Sequence, residues 1–228
     1  LTISDGGAAR ASTTYVGSDA GAHGVLSIES GGSLVNATGY IGNAANATGT
    51  ATVTGKGSQW INTGNLGVGH TGNGTLMIEN GGVLSSTSGY IGSNVDSTGT
   101  ATVTGAGSQW TSSGNLWVGS AGNGVLTVSD GGSVSTANAF VGFGAGSSGT
   151  INIGAASGDL AAAAGTLTAN SLAFGDGAGT LVFNHTSNDY LFSPAMSGAG
   201  NLKVENGRTV LAGNSSGFGG NTTILSGA

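Results

Sequence analysis

Residues 50–60 read TATVTGKGSQW, and residues 100–110 repeat them as TATVTGAGSQW. The match continues outward from both copies. GNLGVG at 64–69 returns as GNLWVG at 114–119, and TGNGTLMIENGG at 71–82 returns as AGNGVLTVSDGG at 121–132. Each 50-residue copy holds a half-period of 25, because Gly24, Gly49, Gly74, Gly99, Gly124 and Gly149 are evenly spaced without slippage. After each of these glycines the apolar residues alternate with small polar ones, as in Leu26/Ile28, Ala51/Val53, Leu76/Ile78, Ala101/Val103 and Leu126/Val128, with Leu1/Ile3 in the same register. That is the period of a strand with one buried face. A Gly-containing turn follows, then Leu34, Leu84 or Val134, and then a third short strand marked by Tyr15-Val16, Tyr40-Ile41, Tyr90-Ile91 or Phe140-Val141.

Three short strands in each half-period describe one coil of a β-solenoid. A single coil cannot bury its inner face, but stacked coils can, at about 4.8 Å per rung. The sequence therefore predicts an all-β fold, a parallel β-helix with coils of about 25 residues. It is expected to be right-handed, as parallel crossovers nearly always are. Propeller blades are longer, and sandwiches do not repeat their sequence at a fixed spacing. Residues 1–149 read as six regular rungs. Residues 150–228 read as irregular coils of about 20–30 residues, with GAGTL at 177–181, GAGNL at 198–202, GGNTTIL at 219–225 and a looser Ala-rich stretch at 155–165. Pro194 lies in this less regular part, where a solenoid strand tolerates it best.

Composition points the same way. Glycine accounts for 48 of 228 residues and charged residues for only 6%, while 37% are hydrophobic, so neither a helical bundle nor a disordered chain fits. Four Lys/Arg against ten Asp/Glu leave a net charge of −6. No basic patch can be assembled from Arg10, Lys56, Lys203 and Arg208, which excludes nucleic acid and anionic lipid as expected partners. The absence of cysteine removes disulfides, thiolate metal sites and a thiol nucleophile, and suits an exported bacterial protein. No apolar span of about 20 residues and no signal peptide are present, and the opening residues already lie inside the repeat. The chain is therefore expected to be part of something longer.

The units NGGVLSSTSGYIG, GTATVTGAGSQW, GNLWVGSAGNGVLTVSDGG and GAGNLKVENGRTVLAGNSSGFGGNTTILSGA resemble the passenger repeats of adhesin-type autotransporters, the type V secreted proteins of Gram-negative bacteria. The last unit is similar to the strand repeat that such passengers carry ahead of their membrane barrel. The resemblance covers nearly the whole chain and implies a right-handed β-helix displayed at the cell surface or released from it. In that setting the anchor is a C-terminal outer-membrane barrel outside these residues, and the chain itself is expected not to be inserted in a membrane. Adhesion, self-aggregation and biofilm formation are the implied activities. The expected partners are another copy on a neighbouring cell, or a host matrix protein or glycan.

Chemistry-bearing motifs are scarce. Gly67-Val68-Gly69-His70-Thr71-Gly72 fits a dinucleotide fingerprint, but a strand-forming segment follows it where a helix is needed. Gly213-Asn214-Ser215-Ser216-Gly217 fits a nucleophile-elbow string, again without a helix. No Gly-Asp-Ser string of a passenger serine protease occurs, since Gly158-Asp159 leads to Leu160 and Gly175-Asp176 to Gly177. Asp5, Glu29, Glu79 and Asp130 precede Gly-Gly turns and are expected along one solvated corner. There Glu29 and Glu79 would stand two rungs apart, roughly 10 Å, too far for a retaining glycosidase pair. The histidines at 23, 70 and 185 share no register. We therefore expect no catalytic residues, no metal site and no cofactor. A β-helix polysaccharide lyase or hydrolase is the least favoured reading, and a stalk that lifts a distal module is the main alternative to an adhesin.

Binding features carry more weight. If Val16, Ile41, Val68, Ile91, Val118 and Val141 point inward, then Tyr15, Tyr40, Gly67, Tyr90, Trp117 and Phe140 point outward. Five aromatics in six successive rungs form a stripe, interrupted at Gly67. Tyr15, Tyr40, Tyr90, Trp117 and Phe140 are the candidate residues for ligand binding or self-association, unless the stack merely stabilises the solenoid. Trp60 and Trp110 are expected in the core or at a corner.

Overall fold

Gly-spaced alternation becomes a solenoid because every coil returns its three strands to the same places. The computed structural model describes residues 1–225; it is all-β, with about 8 turns of a parallel β-helix. One face is a ten-stranded parallel sheet running from Thr2–Ile3 through His23–Ile28, Thr48–Thr54, Asn73–Glu79, Thr98–Thr104, Asn123–Ser129 and Ser148–Gly154 to Ala178–Asn184, Asn201–Asn206 and Asn221–Ile224. The second and third faces share one sheet, because the long strands Ala8–Val16 and Ser33–Ile41 run around the corner between them. The second face continues through Gln59–Asn62, Val83–Ser86 and Gln109–Ser112; the third continues through Leu66–Val68, Gly89–Ile91, Asn115–Val118 and Asn138–Val141.

On the first face the pairing offset equals the spacing of the glycines, from His23↔Thr48 to Asn123↔Ser148. It then changes: Ser148 pairs with Ala178, Thr180 with Asn201 and Asn201 with Asn221. The evenly spaced glycines sit where one coil's backbone crosses another's. A Cβ on Gly99 would lie 2.1 Å from the Val68 carbonyl oxygen and 2.5 Å from the Gly92 nitrogen, so only hydrogen fits there.

The expected inward residues fill the core. Leu26, Ile28, Ala51, Val53, Leu76, Ile78, Ala101, Val103, Leu126 and Val128 are all buried. Leu1 differs from its partner Ile3: it lies on the outermost rung and is exposed.

The 50-residue period has a packing cause. Coils carrying Trp60 or Trp110 have Ala51 or Ala101 on the first face, whereas their neighbours have Leu26, Leu76 or Leu126 there and Gly39 or Gly89 on the third. A Cβ on Gly39 would stand 3.0 Å from Trp60 Cζ2, and one on Gly89 2.7 Å from Trp110 Cζ2. Each indole therefore reaches into the space that the adjoining coil leaves empty, so two unlike coils make one close-packed unit. Both tryptophans are core residues. Trp60 Nε1 donates to Asn36 Oδ1 (2.7 Å) and Trp110 Nε1 to Ser86 Oγ (3.2 Å), which satisfies their buried donors. Asn36 and Ser86 are tied in turn to Asn62 and Ser112 on the next coil.

The excursion at 155–165 is pinned from a distance. The Glu205 carboxylate, buried at 8% exposure, accepts from the Ser157 hydroxyl and from the Gly158 N–H. These bonds hold its pKa below the ordinary carboxylate value, with the Ser157 contact the largest cause, against the upward push of burial.

Candidate functional site

Each third-face strand is short and alternates in orientation, so its partner residues stack in columns. Val16, Ile41, Val68, Ile91, Val118 and Val141 are buried. The residue before each one must then face out. Parallel pairing aligns them: Tyr15 opposite Tyr40, Tyr40 opposite Gly67, Gly67 opposite Tyr90, Tyr90 opposite Trp117, and Trp117 opposite Phe140. All five candidate aromatics therefore occupy one outward column. Their rings touch along it. Tyr15 and Tyr40 stack at 5.6 Å, Tyr90 and Trp117 at 4.6 Å with planes 2° apart, and Trp117 and Phe140 at 5.4 Å. Phe143, half exposed, meets Phe140 edge-on at 5.6 Å. The adjoining outward positions are Thr38, Asn65, Ser88, Asn115 and Asn138, so the flank of the column is polar and uncharged.

Gly67 breaks the column, and the break is built. A Cβ at Gly67 would meet Tyr40 Cδ1 at 3.2 Å, Ser93 Oγ at 3.5 Å and the His70 Cβ at 3.6 Å. The His70 ring lies against Tyr40 at 4.3 Å between centroids, tilted 40°. Beyond it a groove of about 350 Å³ opens between Tyr40 and Tyr90, with Asn65, Asn94 and Ser120 on its rim. Asn94 donates to the His70 carbonyl at 2.6 Å and to Thr71 Oγ1 at 3.3 Å, fixing the loop that carries His70. Burial lowers the His70 pKa from its ordinary value, which favours the neutral ring. Ser93 Oγ is buried at the edge of the groove and has no hydrogen-bond partner among the described residues.

The sequence alone does not single out His70, Ser93, Asn65 and Asn94 as a site. The one legible signal is the missing ring at Gly67 within an otherwise regular stripe. The string 67–72 carries the turn between the strands Leu66–Val68 and Asn73–Glu79, the context of a solenoid corner and not of a dinucleotide loop. The 213–217 string leads into the short strand Gly217–Phe218.

Of the corner acids, Asp5 and Asp130 lie in turns, while Glu79 ends the strand Asn73–Glu79 and Glu29 directly follows His23–Ile28. Asp5 and Asp130 are exposed with φ of 53° and 51°, the left-handed geometry shared by Ser30 and Asn80 at equivalent positions. Hydroxyls from Ser4, Ser27 and Thr104 donate to Asp5, Glu29 and Asp130. Among the described residues, no three His, Asp or Glu side chains lie close enough to hold a metal ion. His185 is buried away from the column: it shares a hydrogen bond with Thr209 Oγ1 (2.9 Å), its Nδ1 accepts from the Ser187 N–H, and burial lowers its pKa.

No protein-family model, no curated protein and no solved structure matches this chain.

Proposed function

We propose that this chain is passenger material of a bacterial surface protein, an autotransporter-type adhesin that acts by contact and not by catalysis. The observation that carries the reading is the outward aromatic column of Tyr15, Tyr40, Tyr90, Trp117 and Phe140, in register on a rigid scaffold and flanked by uncharged amides and hydroxyls. Aromatic surface of this kind supplies contact area at low entropic cost, and aromatic residues dominate binding hot spots. The repeats themselves support display at the cell surface through their resemblance to passenger coils. The partner is a second copy on a neighbouring cell, or a host matrix protein or glycan.

The test is a settling and adhesion assay on cells displaying the chain, beside cells lacking it and cells displaying the Trp117→Ala and Phe140→Ala variants. Settling or surface adhesion that soluble chain suppresses, and that the two variants lose while still folded on the surface, is the expected result. Unchanged behaviour in both variants would remove the aromatic column from the function. No settling and no adhesion at full display would leave the stalk reading in its place.

A further inference from the structure

We propose that the break in the aromatic column at Gly67 is a subsite for one neutral pyranose ring of a glycan. This inference rests on the adhesin reading and specifies a ligand for it.

The geometry is that of a ring-sized gap. Tyr40 and Tyr90 lie two strand spacings apart, roughly 10 Å, with Gly67 between them offering no side chain. One face of Tyr90 is covered by Trp117 at 4.6 Å, and the other looks into the gap. His70, leaning on Tyr40, forms the opposite wall. The volume of about 350 Å³ suits a single ring with part of its linkage. It stands at the low end of small-ligand pockets, roughly 300–1,000 Å³.

The chemistry is that of an uncharged, hydroxyl-rich ligand. No Lys, Arg, Asp or Glu lines the gap, and burial favours the neutral form of His70. A carboxylated or phosphorylated ligand would find no counter-charge there. The apolar face of a pyranose packs on an aromatic ring, while its hydroxyls need donors and acceptors at the ring's edge. Asn65, exposed and with no side-chain partner among the described residues, and Ser120 supply them at the rim. The unpartnered Ser93 hydroxyl is the second, independent sign. A buried polar atom without a partner is costly, and it lies 3.5 Å from the position that the missing Gly67 Cβ would take. Gly67 is buried and has no positive φ to explain the absence of a side chain; a Cβ there would press on Tyr40, Ser93 and His70, so the missing side chain is what lets the His70 loop close against Tyr40 and shape the groove beside it.

The test uses purified chain and the methyl glycosides of glucose, galactose, mannose and N-acetylglucosamine as probes. Saturation-transfer NMR detects contact, and tryptophan fluorescence gives the affinity. At least one probe is expected to bind in the millimolar range. Gly67→Tyr, which forces a ring against Tyr40 and His70 and into the groove, is expected to weaken that binding at least about tenfold in a chain that still folds, measured well below its melting temperature. Asn65→Ala, which removes an exposed amide with no internal role, is expected to weaken it several-fold and serves if Gly67→Tyr does not fold. Silence from all four probes, or equal binding by both variants, would overturn the proposal. Silent probes together with adhesion that depends on Trp117 would remove the subsite and keep the adhesin. Gly67-dependent sugar binding by a chain whose display causes no adhesion would do the reverse.

Discussion

The tiling of indole against glycine makes a quantitative prediction about neighbouring coils. A methyl group added at Gly89 would stand 2.7 Å from both Trp110 Cζ2 and Leu116 Cδ1. The Gly89 backbone is not in the left-handed region, so Gly89→Ala meets a packing obstacle and no conformational one. Overpacking of this kind costs about 1–3 kcal/mol. Trp110→Leu empties the space from the other side. Truncating a buried tryptophan to alanine costs about 3–5 kcal/mol, and leucine keeps part of the volume, so about 2–4 kcal/mol is expected. Ser86 Oγ loses the indole donor in that variant but keeps Ser112 at 2.9 Å. In the double variant the alanine methyl enters the volume that the indole vacated. The combined loss should therefore fall short of the sum by about 1–2 kcal/mol, within the range for residues in contact. Urea unfolding followed by far-ultraviolet circular dichroism and by tryptophan emission measures all three; coincident transitions license the free-energy comparison. Gly39→Ala with Trp110→Leu is the control. Gly39 packs on Trp60, three coils from Trp110, so that pair should add within about 0.5 kcal/mol. Additivity for Gly89 with Trp110, equal to that of the control, would refute the claim that the 50-residue period exists to interlock unlike coils.

Four further outcomes are expected. Gly99→Ala forces a Cβ into backbone at 2.1 Å that no rotamer change can relieve, and should cost more than about 3 kcal/mol or abolish soluble expression. Gly219→Ala, with open space around its Cβ, should stay within about 0.5 kcal/mol of the parent in the same urea unfolding. Trp117→Ala removes stacking on both Tyr90 and Phe140, about 0.5–1.5 kcal/mol for each pair. It should lower stability by about 1–3 kcal/mol, so adhesion of that variant is to be read well below its melting temperature. Glu205 has a folded-state pKa below its unfolded one, so its contribution is present above the unfolded value and lost as pH falls through the lowered folded value. The Gly158 amide resonance should move with a midpoint below the ordinary glutamate pKa. Glu205→Gln should remove that titration and cost about 1.5 kcal/mol; an unshifted midpoint would contradict the Ser157 and Gly158 contacts.

Most of the scaffold was readable along the chain. Evenly spaced glycines, with apolar residues at alternate positions after each, dictate strand, turn and coil length. Both patterns are one-dimensional, and stacking repeats them without adding new partners. The same alternation put Tyr15, Tyr40, Tyr90, Trp117 and Phe140 on the outside, since inward Val and Ile leave their neighbours no other direction.

What lay beyond such a reading depends on side chains from different coils meeting in space. The sequence displays the 50-residue repeat but not its cause, because Trp110 meets Gly89 only once the coils are stacked, and nothing in either residue's local propensity announces the contact. The groove is the same kind of feature. Gly67 was visible as a gap, but whether a neighbour would fill it was settled by His70 folding back onto Tyr40 and by Ser93 and Asn94 arriving from the next coil. Glu205, 47 residues from Gly158, closes the Ala-rich excursion in a region where the period had already lapsed. A linear repeat fixes which way each side chain points; the size and packing of the neighbours on adjacent rungs fix what it finds there.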